Sequence, residues 1–259
     1  MRFERAILPN FITFANLFLG YWAIMLISQG RFTSGAWLIV AAAILDGIDG
    51  AVARLIKSSS RFGAEMDSLA DVVSFGVAPS LLVYHLLFQS VDGYSLIFAF
   101  MLLAAGAARL ARYNLIHQAH PDFRGFIGMP IPCGALIIVG FYLYSHHNPE
   151  GLSTLPIWFA LVPLVATLEI SLFEYRRIPL FAIPSAKHPF HTIALIGTIA
   201  ACFIFKPEKV LFPVMTIYLF TGPAGWLAEL LRKEQPIEDD TKDGTPTPYH
   251  GRPFRRRNR

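Results

Sequence analysis

Asp46 and Asp49 stand three residues apart, and Asp67 and Asp71 four apart, in the stretch LDGIDGAVARLIKSSSRFGAEMDSLADVVSFG from Leu45 to Gly76. Either spacing puts both carboxylates of a pair on one helix face. If the chain turns around Lys57–Arg61, a rise of about 1.5 Å per residue sets all four roughly 9–17 Å from that turn. Two antiparallel helices would then present four carboxylates to a common point. Their surroundings are apolar, and an Asp at the centre of a membrane helix costs about 3 kcal/mol, four together on the order of 10. Arg54 alone cannot neutralise them. Hard oxygen donors with no His or Cys nearby suit Mg²⁺ or Mn²⁺. Two such ions would balance four carboxylates and could clamp a diphosphate during displacement. A transporter's cation site is the rival chemistry for intramembrane acids, but it gives no reason for the glycines and the arginine beside them.

Those neighbours are small or basic. Gly47, Gly50, Ala51 and Ala53 thin one helix, and Gly63, Ala64, Ser68 and Ala70 the other. Close helix–helix packing is one explanation; at Gly50, approach of a nucleotide to the backbone is another. Arg54 can meet a phosphate or anchor the helix at the membrane surface, and Ser58–Ser60 supply hydroxyls at the turn. Asn10, Thr13 and Asn16 share a face of the first apolar segment and can reach a cytidine or diphosphate. Helix capping by Asn10 and interhelical hydrogen bonds from the other two are the alternatives.

Apolar helices must position these groups. Of the 259 residues, 54% are hydrophobic and 15% charged, with mean hydropathy +0.48, where soluble domains carry about 25% charge. Eight apolar segments stand out, near 9–29, 34–56, 66–88, 93–113, 129–146, 155–173, 190–205 and 210–231. The first is too long for a signal-peptide core and has no clear cleavage site. The pattern predicts an all-α, polytopic membrane helix bundle of about eight spans. With both termini cytoplasmic, 19 of the 22 Lys and Arg fall on the cytoplasmic side, as the positive-inside bias requires. The membrane domain covers 1–232; residues 233–259 form a basic, Pro-rich tail expected to be disordered. A net charge of +4 is read as loops facing anionic lipid rather than nucleic acid. Cys133 and Cys202 lie in apolar segments and act as small hydrophobes, and the eight histidines show no ligand spacing.

Asp46-x-x-Asp49-Gly50-x-x-Ala53-Arg54, eight residues, then Gly63-x-x-x-Asp67-x-x-x-Asp71 resembles the complete signature of the CDP-alcohol phosphotransferase family. The resemblance implies that Asp46, Asp49 and Asp67 bind two divalent metals, that Asp71 also contacts metal and is the base, and that Gly50, Arg54 and Ser60, with Gly63 of the same signature, hold the CDP-lipid. It also implies a homodimer; the partition of basic residues puts the expected active site on the cytoplasmic side of the cell (inner) membrane.

Further motifs narrow the branch. Pro9-Asn10-x-x-Thr13-x-x-Asn16-x-x-x-Gly20, Ser74-Phe75-Gly76-x-Ala78-Pro79, Ala108-Arg109-Leu-Ala-Arg112-Tyr-Asn114 and Phe126-Ile-Gly128-Met-Pro130-Ile-Pro132 are similar to the membrane-embedded phosphatidylserine synthases over residues 5–140. Met129 and Cys133-Gly134 depart from that pattern. The resemblance implies CDP-diacylglycerol and L-serine as substrates; glycerol phosphate, inositol phosphate or choline are other acceptors for the same chemistry. A serine carboxylate needs a cation, which Arg112, Arg109 or Arg124 can supply, with Asn114 adding polar contacts. Topological anchoring is the alternative for each arginine.

Overall fold

The computed structural model describes residues 4–56, 61–88, 93–119, 126–147, 154–175 and 206–233. Helix α1 spans Glu4–Ser28 and α2 Phe32–Ile56. α3, Arg61–Asp71, runs through a π-helical turn at Val72–Val77 into α4, Ala78–Phe88. α5 is Tyr94–Ala119, α6 Ile131–His147, α7 Thr154–Ile170 and α8 Pro207–Lys233. Lipid offers no partners to backbone groups, so long apolar runs close their hydrogen bonds within helices.

Five described stretches are long and apolar enough to cross a membrane: Phe11–Ser28, Phe32–Asp49, Phe62–Leu87, Tyr94–Ile116 and Pro207–Leu231. The expected count of eight is not reached among the described residues. The fifth and sixth segments form α6 and α7, of 17 residues each, or about 26 Å against a hydrocarbon core of about 30 Å. The seventh segment and the C-terminal tail lie outside the described residues.

α1 shows how one sequence serves two surroundings. Phe11, Phe14, Phe18, Tyr21, Trp22 and Met25 are exposed along one stripe, while Thr13, Asn16, Ala23 and Ile27 are buried on the other. Gly30, at φ 77°, ends the helix. Its N–H bonds to Ile27 O at 2.9 Å and that of Arg31 to Leu26 O at 2.9 Å, the paired closure that a left-handed glycine permits. α2 then packs back along α1. α6 is buried from Ile131 to Leu143 over most of its surface and contacts α2, α4, α5, α7 and α8, which makes it the centre of the bundle.

Two irregular features bear on function. The π turn follows Asp71 directly, and the Ala78 N–H reaches back to Val73 O. Pro79, next in sequence, has no N–H and its ring crowds the carbonyl four residues back; a widened turn relieves that contact. The second is a ribbon in which β1, Phe126–Ile127, pairs antiparallel with β2, Glu174–Tyr175, tying the chain after α5 to the chain after α7. The Tyr175 hydroxyl donates to Leu219 O on α8 at 3.0 Å, and burial pushes its pKa up to about 12, so it stays a donor at physiological pH.

Candidate active site

α2 and α3 deliver the carboxylates as their spacing requires. Oxygens of Asp46, Asp67 and Asp71 lie within 4.8 Å of one another. Asp49 is buried beside them, its Oδ2 accepting a hydrogen bond from Thr13 Oγ1 on α1 at 2.8 Å. So three of the four expected ligands meet at one point, and the fourth is held by the first helix. Asp49 Oδ1 and Asp71 Oδ1 are buried with no hydrogen-bond partner among the described residues. Carboxylate oxygens left without donors in an apolar bundle fit a hard divalent cation.

The π turn locks this arrangement to α1. Ser74 Oγ donates to Asn16 O at 3.1 Å, and a Cβ at Gly20 would collide with Ser74 Oγ and stand 2.7 Å from its Cα. Gly20 thus lets α1 touch the helix that carries Asp67 and Asp71. Both polar atoms of the buried Asn16 amide lack a hydrogen-bond partner among the described residues, in keeping with a ligand contact there. Gly63 is half-buried on α3. Asn10, Gly50 and Arg54 belong to described helices, but their side chains are outside the described set, as are Ser60 and Arg124 altogether.

The two arginines of α5 have different tasks. α5 continues to Ala119, past the expected end near residue 113, because Tyr113 to Ala119 carry no breaker. Arg109 is therefore an interior residue, 4% exposed, with its guanidinium 5.1 Å over the Tyr113 ring. It lies in electrostatic reach of Asp71 on α3 and Glu169 on α7. Arg112 is committed to backbone. Its Nη1 donates to Ile170 O at 2.7 Å, and its Nη2 to the carbonyls of Ile127, Glu169 and Ser171 at 3.2, 3.1 and 2.9 Å. These include carbonyls at the end of α7 that no helical N–H can reach. The expected serine contact at Arg112 does not match this geometry. Gly128, at φ 80°, belongs to the same cap: a Cβ there would stand 2.6 Å from Arg112 Nη2. Asn114 donates through Nδ2 to Ser68 Oγ at 2.9 Å, bracing α5 against α3 one residue from Asp67.

A groove of about 360 Å³ opens between α3 and α5, lined by Ser68, Leu69, Val72, Leu110 and Asn114 among others. No aspartate lines it, so the carboxylate cluster, not this groove, marks the chemistry. Glu169 escaped the sequence reading. Its signal was available: it is the only charged residue of α7, and a lone acid in an apolar helix warrants a search for its partner.

The family model described as CDP-alcohol phosphatidyltransferase matches residues 6–168. Among curated relatives, a CDP-diacylglycerol–serine O-phosphatidyltransferase of Helicobacter pylori is 34% identical over 221 residues, covering 85% of this chain and 90% of the relative. One of the same name from Mycobacterium bovis is 32% identical over 86% of this chain and 81% of its own length. Another, from Methanocaldococcus jannaschii, is 38% identical over 66% of this chain and 75% of its own.

Proposed function

The chain belongs to the CDP-alcohol phosphatidyltransferase family, and on that premise we propose that it transfers the phosphatidyl group of CDP-diacylglycerol to L-serine, giving phosphatidylserine and CMP. The observation that carries this reading is the meeting of Asp46, Asp67 and Asp71 oxygens within 4.8 Å, on the spacing the family signature requires. The serine named for the relatives supports the acceptor.

In this mechanism the serine hydroxyl oxygen attacks the lipid-side phosphorus. The bond from that phosphorus to the bridging oxygen breaks, and CMP leaves with the electron pair. Asp71 takes the hydroxyl proton. Asp46, Asp49, Asp67 and Asp71 would hold two divalent cations, Mg²⁺ or Mn²⁺, which when bound neutralise the diphosphate and the charge on departing CMP. Thr13 fixes Asp49 through its hydroxyl, and the Asn16 amide is free to hydrogen-bond the nucleotide or diphosphate. Asn10, Gly50, Arg54, Ser60 and Gly63 complete the CDP-lipid site on the strength of the signature. Arg109, buried next to the cluster, binds the serine carboxylate, since a guanidinium offers paired donors to it.

The partition of basic residues supports a multi-pass protein of the cell (inner) membrane with eight spans, both termini cytoplasmic and the site opening to the cytoplasm. Family resemblance supports a homodimer. An acceptor panel tests the reaction: purified protein with CDP-diacylglycerol is given serine, glycerol phosphate, inositol phosphate or choline, and lipid products are separated. Phosphatidylserine should dominate; a different phospholipid in the absence of phosphatidylserine would replace serine as the acceptor.

A further inference from the structure

Glu169 is 1% exposed, and its Oε2 has no hydrogen-bond partner among the described residues. It stands one residue beyond the family match, which ends at 168. Gly134 makes room for its carboxylate, and Gly106 lies beside it at ordinary contact distance. A Cβ at Gly134 on α6 would collide with Oε1, and one at Gly106 on α5 would approach Oε2 to 3.5 Å. Three helices thus build a slot for one carboxylate. Gly106 lies a helical turn before Arg109 on the same face of α5, and Glu169 and Arg109 interact electrostatically. Arg109 is also attracted to Asp71. With nothing to oppose that attraction, its guanidinium would be drawn onto a carboxylate that the reaction needs.

We propose that Glu169 is a positioning residue for the acceptor: from its slot between Gly106 and Gly134 it balances Asp71 and holds the Arg109 guanidinium where a serine carboxylate can meet it. The proposal rests on the serine reading above. Two buried carboxylates that both attract one guanidinium share its charge, whereas a single one would capture it. Glu169 itself touches neither substrate.

Kinetics on the purified, full-length protein separate this role from simple packing. Glu169→Gln keeps the side-chain shape and removes its charge; Gly134→Ala keeps the charge and crowds it out of the slot. Each should raise KM for serine about tenfold, leaving KM for CDP-diacylglycerol within about twofold. Glu169→Asp, which keeps a shortened carboxylate, should fall between wild type and Glu169→Gln, and it carries the same test if Glu169→Gln does not fold. An unchanged serine KM in the folded variants, or parallel rises in both KM values, would overturn the proposal. The two readings fail differently. A wild-type protein that ignores serine overturns the serine reading and this inference with it. A wild-type protein that uses serine, with the same serine KM in the variants, overturns this inference alone.

Discussion

The proposed mechanism gives Asp71 two roles, metal ligand and base. This residue shares the three-oxygen cluster with Asp46 and Asp67, and its Oδ1 is buried with no hydrogen-bond partner among the described residues. No histidine competes for the base, since none lies between Leu45 and Gly76. Asp71→Asn should therefore lower serine-dependent CMP release by a factor of about 10²–10⁴. CDP-diacylglycerol should still bind, because Asp46, Asp49 and Asp67 remain. Turnover and CDP-lipid binding are to be measured on one preparation. Turnover within a few-fold of wild type rejects Asp71 as the base, and complete loss of binding reduces it to a ligand.

Among the elements, the ends of α5 and α7 show why two similar arginines must be tested apart. Arg112 caps α7 and clamps β1 through four backbone carbonyls. Arg112→Ala strands those carbonyls and should cost on the order of 3 kcal/mol, a fall in melting temperature of roughly 5–10 °C in detergent. Arg109→Lys keeps a charge but loses the planar fork. It should raise the serine KM more than it lowers the melting temperature, and the reverse ranking would exchange the two roles. Sequence alone could not make this assignment, because both residues fit a helix end facing the cytoplasm. What separates them is the partner that each finds on α7, some 57 residues away in the chain. The π turn, the two-residue ribbon and the Glu169 slot were illegible for the same reason: periodicity describes a segment, and these features depend on contacts between segments. The helices themselves were legible. α1, α2, α6 and α8 begin and end within a few residues of the apolar runs, since lipid leaves an apolar run few options but helix.

At the scale of the whole molecule, the proposed topology places the chemistry toward one side of the membrane. The pairs Asp46–Asp49 and Asp67–Asp71 lie on the two helices that residues 57–60 connect, and the proposed eight-span topology puts 19 of the 22 basic residues on the same side as that connection. In sealed right-side-out vesicles a single cysteine at Ser59, in a background without Cys133 and Cys202, should resist a membrane-impermeant thiol reagent until the membrane is opened. Ready labelling from outside would invert the topology and move the site to the opposite face.

The central claim is that a carboxylate cluster inside this bundle loads divalent metal to move a phosphatidyl group onto serine. Purified protein stripped with chelator and returned to CDP-diacylglycerol and serine, with Mg²⁺ or Mn²⁺ added back in steps, tests it most directly through CMP and phosphatidylserine measured together. The expected result is no product in the stripped protein, and CMP and phosphatidylserine rising in equal amounts as metal is restored, with Asp67→Asn unresponsive. Product formation that ignores the chelator, or an Asp67→Asn protein with the wild-type metal titration, would contradict it.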